Sequence, residues 1–378
     1  MNIMIPVNEP LFLGNEKKYL CECIDSGWIS SDGPYVKKFE SEFAKFIGMN
    51  YGVSASNGTA SLEMALYALG VKENDEIIMP SFTIISCAIA AIRLGVKPVL
   101  TDIEPENWNM DVSQIEKKIT SKTKVIMPVH IYGHPVDMDP IIKIAEKYNL
   151  RILEDAAEVH GAEYKNKKCG SLGDVSSFSF YANKIISCGE GGMVLCKNEK
   201  AAELARSYRN LCFKPEKRFW HTELGYNFRM SNLQAAVGLA QFEKIDEYIK
   251  IKRELGEYYI SKLKDIQELK LQTEKEWAKT VYWMYAVELD SKLGIPADIV
   301  MKKLKTAGVD TRPFFIGLHC QPVLREFGLF ENESYPVTEN ASKYGFYLPS
   351  GLALKKEQID YVCDSLKKII YQLKRGEI

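Results

Sequence analysis

The chain has no stretch of about 18 consecutive apolar residues, so no membrane-crossing helix is expected of it. It has no excess of charge. Lys and Arg total 49 against 50 Asp and Glu, which gives no general attraction for nucleic acid or an anionic membrane. Its nine cysteines form no framework: the only close pair is Cys21 and Cys23, a spacing that suits neither zinc nor a redox couple. No metal site is expected, and an odd count argues against disulfide pairing. The N-terminal Met1-Asn2-Ile3-Met4-Ile5-Pro6 lacks the basic stretch and long apolar core of a secretory signal. With reduced thiols this predicts a cytoplasmic protein. Neither GxGxxG nor GxxxxGK[S/T] occurs, so dinucleotide and Walker-type phosphate sites lose their main support.

What is present is a chain of 378 residues, 46% hydrophobic, enough for a large core and more than one domain. Short apolar runs at 51–56, 76–80, 97–102, 124–130, 151–155, 176–181 and 191–197 read as strands. Several are apolar throughout, as strands covered on both faces tend to be. Helical patterns lie between them at 58–69, 82–94, 111–118 and 137–148. The alternation predicts an α/β fold with a mostly parallel, helix-covered sheet, whose ligands sit beyond the carboxyl ends of the strands. Residues 241–265 read as one long charged amphipathic helix, and the expected division is a large domain 1–242 and a smaller one 243–378.

Two clusters at strand ends could carry chemistry. After the first strand come Asn57, Gly58 and Thr59, then a helix with Leu62, Ala65, Leu66 and Leu69 on one face. Ser56 or Asn57 can cap that helix, leaving the amides of Gly58 and Thr59 and the Thr59 hydroxyl free for an anion. Taken alone, the segment is equally an ordinary capped helix start. The second cluster is Leu153-Glu154-Asp155-Ala156-Ala157-Glu158, followed by Ser179-Phe180-Tyr181-Ala182-Asn183-Lys184 in a loop after another strand. A lysine in a partly dry pocket loses pKa and attacks carbonyls. Pyridoxal phosphate needs such a lysine, a carboxylate against its pyridine nitrogen and a phosphate cup. Lys184 alone reads as a surface lysine and Asp155 alone as a cap; only the combination points to this chemistry.

In order along the chain stand Trp28-Ile29-Ser30-Ser31, Ser56-Asn57-Gly58-Thr59, Met127-Pro128-Val129-His130-Ile131-Tyr132-Gly133-His134 and Glu154-Asp155-Ala156-Ala157-Glu158. Gly170-Ser171-Leu172-Gly173-Asp174, Ser179 to Lys184 and Gly189-Glu190-Gly191-Gly192-Met193 follow. Last come Gly225-Tyr226-Asn227-Phe228-Arg229-Met230, Tyr282-Trp283-Met284 and Thr311-Arg312-Pro313. Nearly end to end, this pattern resembles the DegT-type sugar-nucleotide aminotransferases, most closely the branch that acts on GDP-linked sugars. The resemblance implies the type I aminotransferase fold, a seven-stranded sheet with a smaller C-terminal α+β domain, and a homodimer with shared active sites. It implies that Lys184 binds pyridoxal 5'-phosphate covalently and that Asp155 pairs with the pyridine nitrogen. Glu158 stands near the ring; Gly58, Thr59 and Ser179 take the phosphate; Asn227 reaches it from the neighbouring subunit.

The chain departs from the family in two places. Ile84 stands where an aromatic residue commonly stacks on the ring, and Arg312 to His319 replaces a Pro-Val-Phe-type run ending in a His preceded by Pro. The implied reaction moves an amino group from L-glutamate to a 4-keto-6-deoxy sugar nucleotide, with Lys184 as the acid and base. The product class belongs to sugars of lipopolysaccharide O-antigen. Trp28, Ser30, His130, Tyr132, Arg229, Arg312 and His319 are candidates to line the sugar nucleotide. His134 follows the same strand, and for each histidine a buried, satisfied ring is an equal reading. Amination at C3, a dehydratase on the same scaffold (which replaces the lysine with His), or a non-catalytic regulator are the rival functions. Lys184, Asp155 and Thr59 speak against the last two.

Overall fold

The computed structural model describes residues 4–376, apart from 215 and 218. Its centre is a seven-stranded sheet in the order Tyr51–Ala55, Gly192–Cys196, Val175–Ser179, Arg151–Asp155, Thr123–Ile126, Glu76–Pro80, Lys97–Thr101. Only Gly192–Cys196 runs against the others. Glu76–Pro80, Val175–Ser179 and Gly192–Cys196 are buried at all five positions, which explains why none of them alternates apolar with polar residues. Helices cover both faces, and the loops that leave the carboxyl ends of the parallel strands gather along one edge.

Several expected elements are corrected in extent. The strand expected over 124–130 is Thr123–Ile126, because Pro128 lacks an amide for the ladder; beyond it only a single bridge, Val129 to Asp155, remains. The helix expected over 82–94 is Ser86–Arg93, so 81–85 forms a loop at the sheet edge. Residues 111–118 form a 3-10 turn that runs into the short helix Ile115–Lys118. The single helix expected over 241–265 is two: Asn232–Phe242, started by a Ser231–Gln234 capping box, and Ile245–Leu263. Glu243 and Lys244 close the first helix onto the carbonyls of Leu239 and Gln241.

Beyond Leu263 the chain builds a four-stranded antiparallel sheet, ordered Leu269–Leu271, Tyr285–Leu289, Gly345–Leu348, Arg312–Pro313. Its own core contains Tyr259, Tyr285, Phe346, Val362 and Leu366. Trp283 and Phe314 belong instead to the core of the large sheet. Through them the C-terminal part closes over the edge where the loops gather.

Candidate active site

The first wall of the site is the start of the helix Gly58–Ala68. Asn57 caps it: its side chain accepts from the Ala60 amide at 2.9 Å, and its carbonyl takes the Ser61 amide at 3.1 Å. The amides of Gly58 and Thr59 are then the helix's orphan donors, at the positive end of its dipole. Gly58 is required for closeness, since a Cβ there would lie 2.9 Å from Ser179 Cβ and 3.0 Å from its Oγ. The Thr59 hydroxyl donates to Ser86 Oγ at 2.9 Å. Two orphan amides and three hydroxyls therefore converge at one end of the cavity.

Asp155 ends its strand and is 3% exposed. Its Oδ1 accepts from the Ala157 amide and its Oδ2 from Cys87 Sγ, both at 3.1 Å. Burial, then the charge of Asp155, pushes the Cys87 thiol far above its usual range, so it stays a protonated donor. Lys184 sits in the loop after Val175–Ser179, with its amide on the Tyr181 carbonyl. Its Nζ lies 3.8 Å from Glu158 Oε1 and 3.8 Å from the centre of the Trp283 ring. Burial lowers the Lys184 pKa, opposed by the charges of Glu158 and Asp155. Burial raises the Glu158 carboxyl to about 7, opposed by Lys184. Burial thus favours the neutral amine more than water does for a free lysine.

These groups line one cavity of about 680 Å³ with Thr83, Ile84, Asn183, Phe228, Phe315 and Tyr347 among its other walls. The residues fit pyridoxal phosphate: an amine on one side, a hydrogen-bonded carboxylate on another, and a cup of orphan amides and hydroxyls that suits a phosphate dianion.

Of the residues read from the sequence, Gly58, Thr59, Ile84, Asp155, Glu158, Ser179 and Lys184 meet in this cavity. Ile84 is half exposed at its mouth. The others lie elsewhere. His130 is fully buried: its Nε2 faces Glu154 at 3.0 Å and its Nδ1 accepts from the Val136 amide at 2.9 Å. With both nitrogens engaged it is a structural residue, not a sugar-lining one. His134 is buried as well, its Nδ1 on the Pro135 carbonyl and its Nε2 taking the Lys275 amide. His319 is buried between Ser81 Oγ at 2.7 Å and Glu339 Oε1 at 3.1 Å. Tyr132 stands behind the wall, donating its amide to Glu158 Oε2 at 2.8 Å.

Asn227 pairs by its backbone with Asn210, and Arg229 donates to the Asn210 side chain. Trp28 and Ser30 lie on the surface, and their carbonyls take donors from Asn232. Arg312 is exposed and paired with Asp310, on a strand that runs beside Tyr347. Cys87, Ser86, Trp283, Phe315 and Tyr347 had no assigned role in the sequence reading. Two of them left a signal: Trp283 as part of the Tyr282-Trp283-Met284 motif, and Phe315 within the run from Arg312 to His319.

Over residues 13–367 the chain matches the DegT/DnrJ/EryC1/StrS aminotransferase family. It is 40% identical over 364 residues to a GDP-perosamine synthase of Escherichia coli O157:H7, covering 96% of this chain and 98% of that one. The structure is similar to the aminotransferase TlmJ from Streptoalloteichus hindustanus, with a TM-score of 0.91, 28% identity and coverage of 98% and 100%. The same fold, at a TM-score of 0.91 and 23% identity over 98% of this chain and 99% of the other, occurs in a Streptococcus pneumoniae protein solved in its PLP form.

Proposed function

The chain belongs to the DegT/DnrJ/EryC1/StrS aminotransferase family, and from that premise we propose that it aminates a nucleotide-linked 4-keto-6-deoxy sugar with L-glutamate as donor. Membership makes it a pyridoxal-phosphate-dependent sugar aminotransferase. GDP as the nucleotide, C4 as the carbon and perosamine as the product class rest on the relative's name. The observation that carries the reading is the meeting of Lys184 Nζ, Asp155 and the Gly58–Thr59 amides around one cavity.

When bound, the cofactor supplies an electron sink for the charge that forms as the donor's α-proton leaves. The chain's own residues do the rest. Asp155 holds the proton of the pyridine nitrogen, itself held by Cys87 and the Ala157 amide. Lys184 Nζ, whose pKa burial lowers, takes and returns the α-proton. Gly58, Thr59 and Ser179 fix the phosphate and with it the ring's position. Ile84 and Phe315 give apolar walls that limit water.

A homodimer with shared sites goes with this reading. The segment before Asn227 exposes Phe219, Trp220 and Leu224, a large apolar area for a lone chain. A cytoplasmic location is consistent with nine free cysteines and with the lack of a helix long and apolar enough to cross a membrane among the described residues.

The test is to incubate the purified protein with L-glutamate and GDP-, dTDP- and UDP-linked 4-keto-6-deoxy sugars, then weigh the products by mass spectrometry. A product that has exchanged its keto oxygen for an amine, from the GDP sugar foremost, is expected. Lys184→Arg should abolish both that product and the absorbance change on adding glutamate; transamination that survives the change refutes the mechanism.

A further inference from the structure

Lys184 must leave the cofactor for part of each cycle, so its amine needs a second place to rest. The structure shows where the free amine lies. Nζ sits 3.8 Å from Glu158 Oε1 and 3.8 Å from the centre of the Trp283 ring, with only 10% of the lysine side chain exposed. Neither wall is loose. Trp283 is 3% exposed, and its Nε1 donates to the Asn183 carbonyl at 2.8 Å, next to the lysine itself. Glu158 is held through Oε2 by the Tyr132 amide.

Both walls depend on one turn. Tyr132 is fully buried at φ 52, an unusual angle for a residue with a side chain, and its ring lies nearly parallel to Trp283 at 6.4 Å and 18°. Gly133, at φ 95, lets the backbone of Tyr282 and Trp283 approach. A Cβ there would meet the Trp283 amide nitrogen at 2.6 Å. The left-handed geometry of this turn serves to set the Glu158 carboxylate and the Trp283 face on either side of one amine.

We propose that Glu158 and Trp283 form a berth for the released Lys184 amine, which favours its ammonium over its neutral form and so sets the pH range in which it can act as a base. They are positioning residues that work through Lys184. The inference rests on Lys184 being the attachment point of the cofactor. A carboxylate and a ring face both favour the ammonium, against burial, which favours the neutral amine. The other titratable groups facing the amine are Asp155 and Cys87 on the cofactor side and His160 behind the loop, the last kept neutral by burial. Tyr132 and Tyr347 face Glu158, and Arg312 faces Tyr347.

The test follows the rate at which full-length protein, stripped of pyridoxal phosphate, recaptures it across a pH series, read by the absorbance of the bound cofactor. Capture needs the neutral amine. Glu158→Gln should therefore move the midpoint toward acid and speed capture near pH 7 by about tenfold, the factor for about one pKa unit. Trp283→Phe and Trp283→Leu both keep an apolar wall over the amine while weakening or removing the ring face, so they should shift it in the same direction, Leu more than Phe. Melting temperatures of all variants establish that they are folded. Midpoints of Glu158→Gln and Trp283→Leu that coincide with the wild type overturn the berth while leaving the aminotransferase reading intact. A wild-type protein that never captures the cofactor overturns both.

Discussion

Gly58→Ala puts one methyl group into the phosphate cup, and its effect can be worked from the structure. The new Cβ would stand 2.9 Å from Ser179 Cβ and 3.0 Å from its Oγ, so the helix start or Ser179 must move by a few tenths of an ångström. Overpacking of this kind costs about 1–3 kcal/mol. Alanine in place of glycine in a helix returns about 0.5–1 kcal/mol. The fold should therefore lose about 1 kcal/mol and stay intact. The phosphate loses more. In the proposed site its hydrogen bonds to the Gly58 and Thr59 amides would be charge-assisted, about 1.5–3 kcal/mol each. Misaligning one of them predicts a Kd for pyridoxal phosphate raised about 10- to 100-fold. Cofactor titration by fluorescence, beside thermal melts of the same samples, separates the two effects. A Kd within twofold of wild type would refute the assignment of the helix start as the phosphate cup.

Three other expectations can be checked alongside. Cys87→Ala removes the thiol donor from Asp155 Oδ2 and should weaken cofactor binding about fivefold, or about 1 kcal/mol, while Cys87→Ser keeps a donor and restores it; equal affinities for the two variants would show that the contact is idle. Burial, then the Lys184 charge, depresses the His160 pKa to about 3. The unfolded chain therefore binds its proton first as pH falls below about 6.5, and stability is lost progressively toward pH 3, by about 2 kcal/mol at pH 5. His160→Phe, among Phe43, Phe178 and Phe180, should match wild type in urea at pH 7 and exceed it at pH 5. Lys252 is 1% exposed, donates to the Ser350 carbonyl, and is lowered by burial to a pKa of about 7. Its unfolded form keeps the proton up to about pH 10, so the buried amine costs about 4 kcal/mol at pH 7 and about 1 kcal/mol at pH 10. Lys252→Met removes that cost but leaves the Ser350 carbonyl without its donor, worth about 2 kcal/mol, so it should stabilise the protein by about 2 kcal/mol at pH 7, a gain that urea melts should show gone by pH 10.

The sequence shows this fold so well because strands buried on both faces leave continuous apolar runs between glycines and caps. Glu76–Pro80 and Gly192–Cys196 are buried at every position, and no alternation had to be read. The break at Glu243 and Lys244 escaped because apolar residues keep helical spacing from Phe242 through Ile245 and Tyr248. The turn between two helices there comes from tertiary packing. Lys184, Asp155 and the Gly58–Thr59 pair were legible because each stands just after its own strand. Cys87 was not, and Trp283 was seen only as part of a motif with no role, since Cys87 reaches Asp155 across 68 positions and Trp283 reaches Asn183 across 100. His130 was left between two readings for a local reason. It follows an apolar strand, as a histidine lining a ligand site would, but Glu154 and the Val136 amide use both of its nitrogens inside the core.

Glu154, one residue before Asp155, shows how the sheet holds the site. Burial alone would push its carboxyl up, but His130 and the amides of Gly173 and Gly170 outweigh it, so it stays ionised below the usual range. It also takes the Leu172 amide, tying the loop after the strand back to the sheet. Asp155 is therefore aimed by neighbours on both sides: a buried carboxylate fixes the strand it ends, and a thiol and an amide fix its own oxygens. The opposite wall is built differently. Trp283, Phe315 and Tyr347 all come from beyond residue 263 and cover the lysine from the C-terminal part. The desolvation that makes Lys184 a usable base thus depends on how that part closes over the sheet. Changes along the contact between the two should therefore alter the lysine's acidity before they alter the fold.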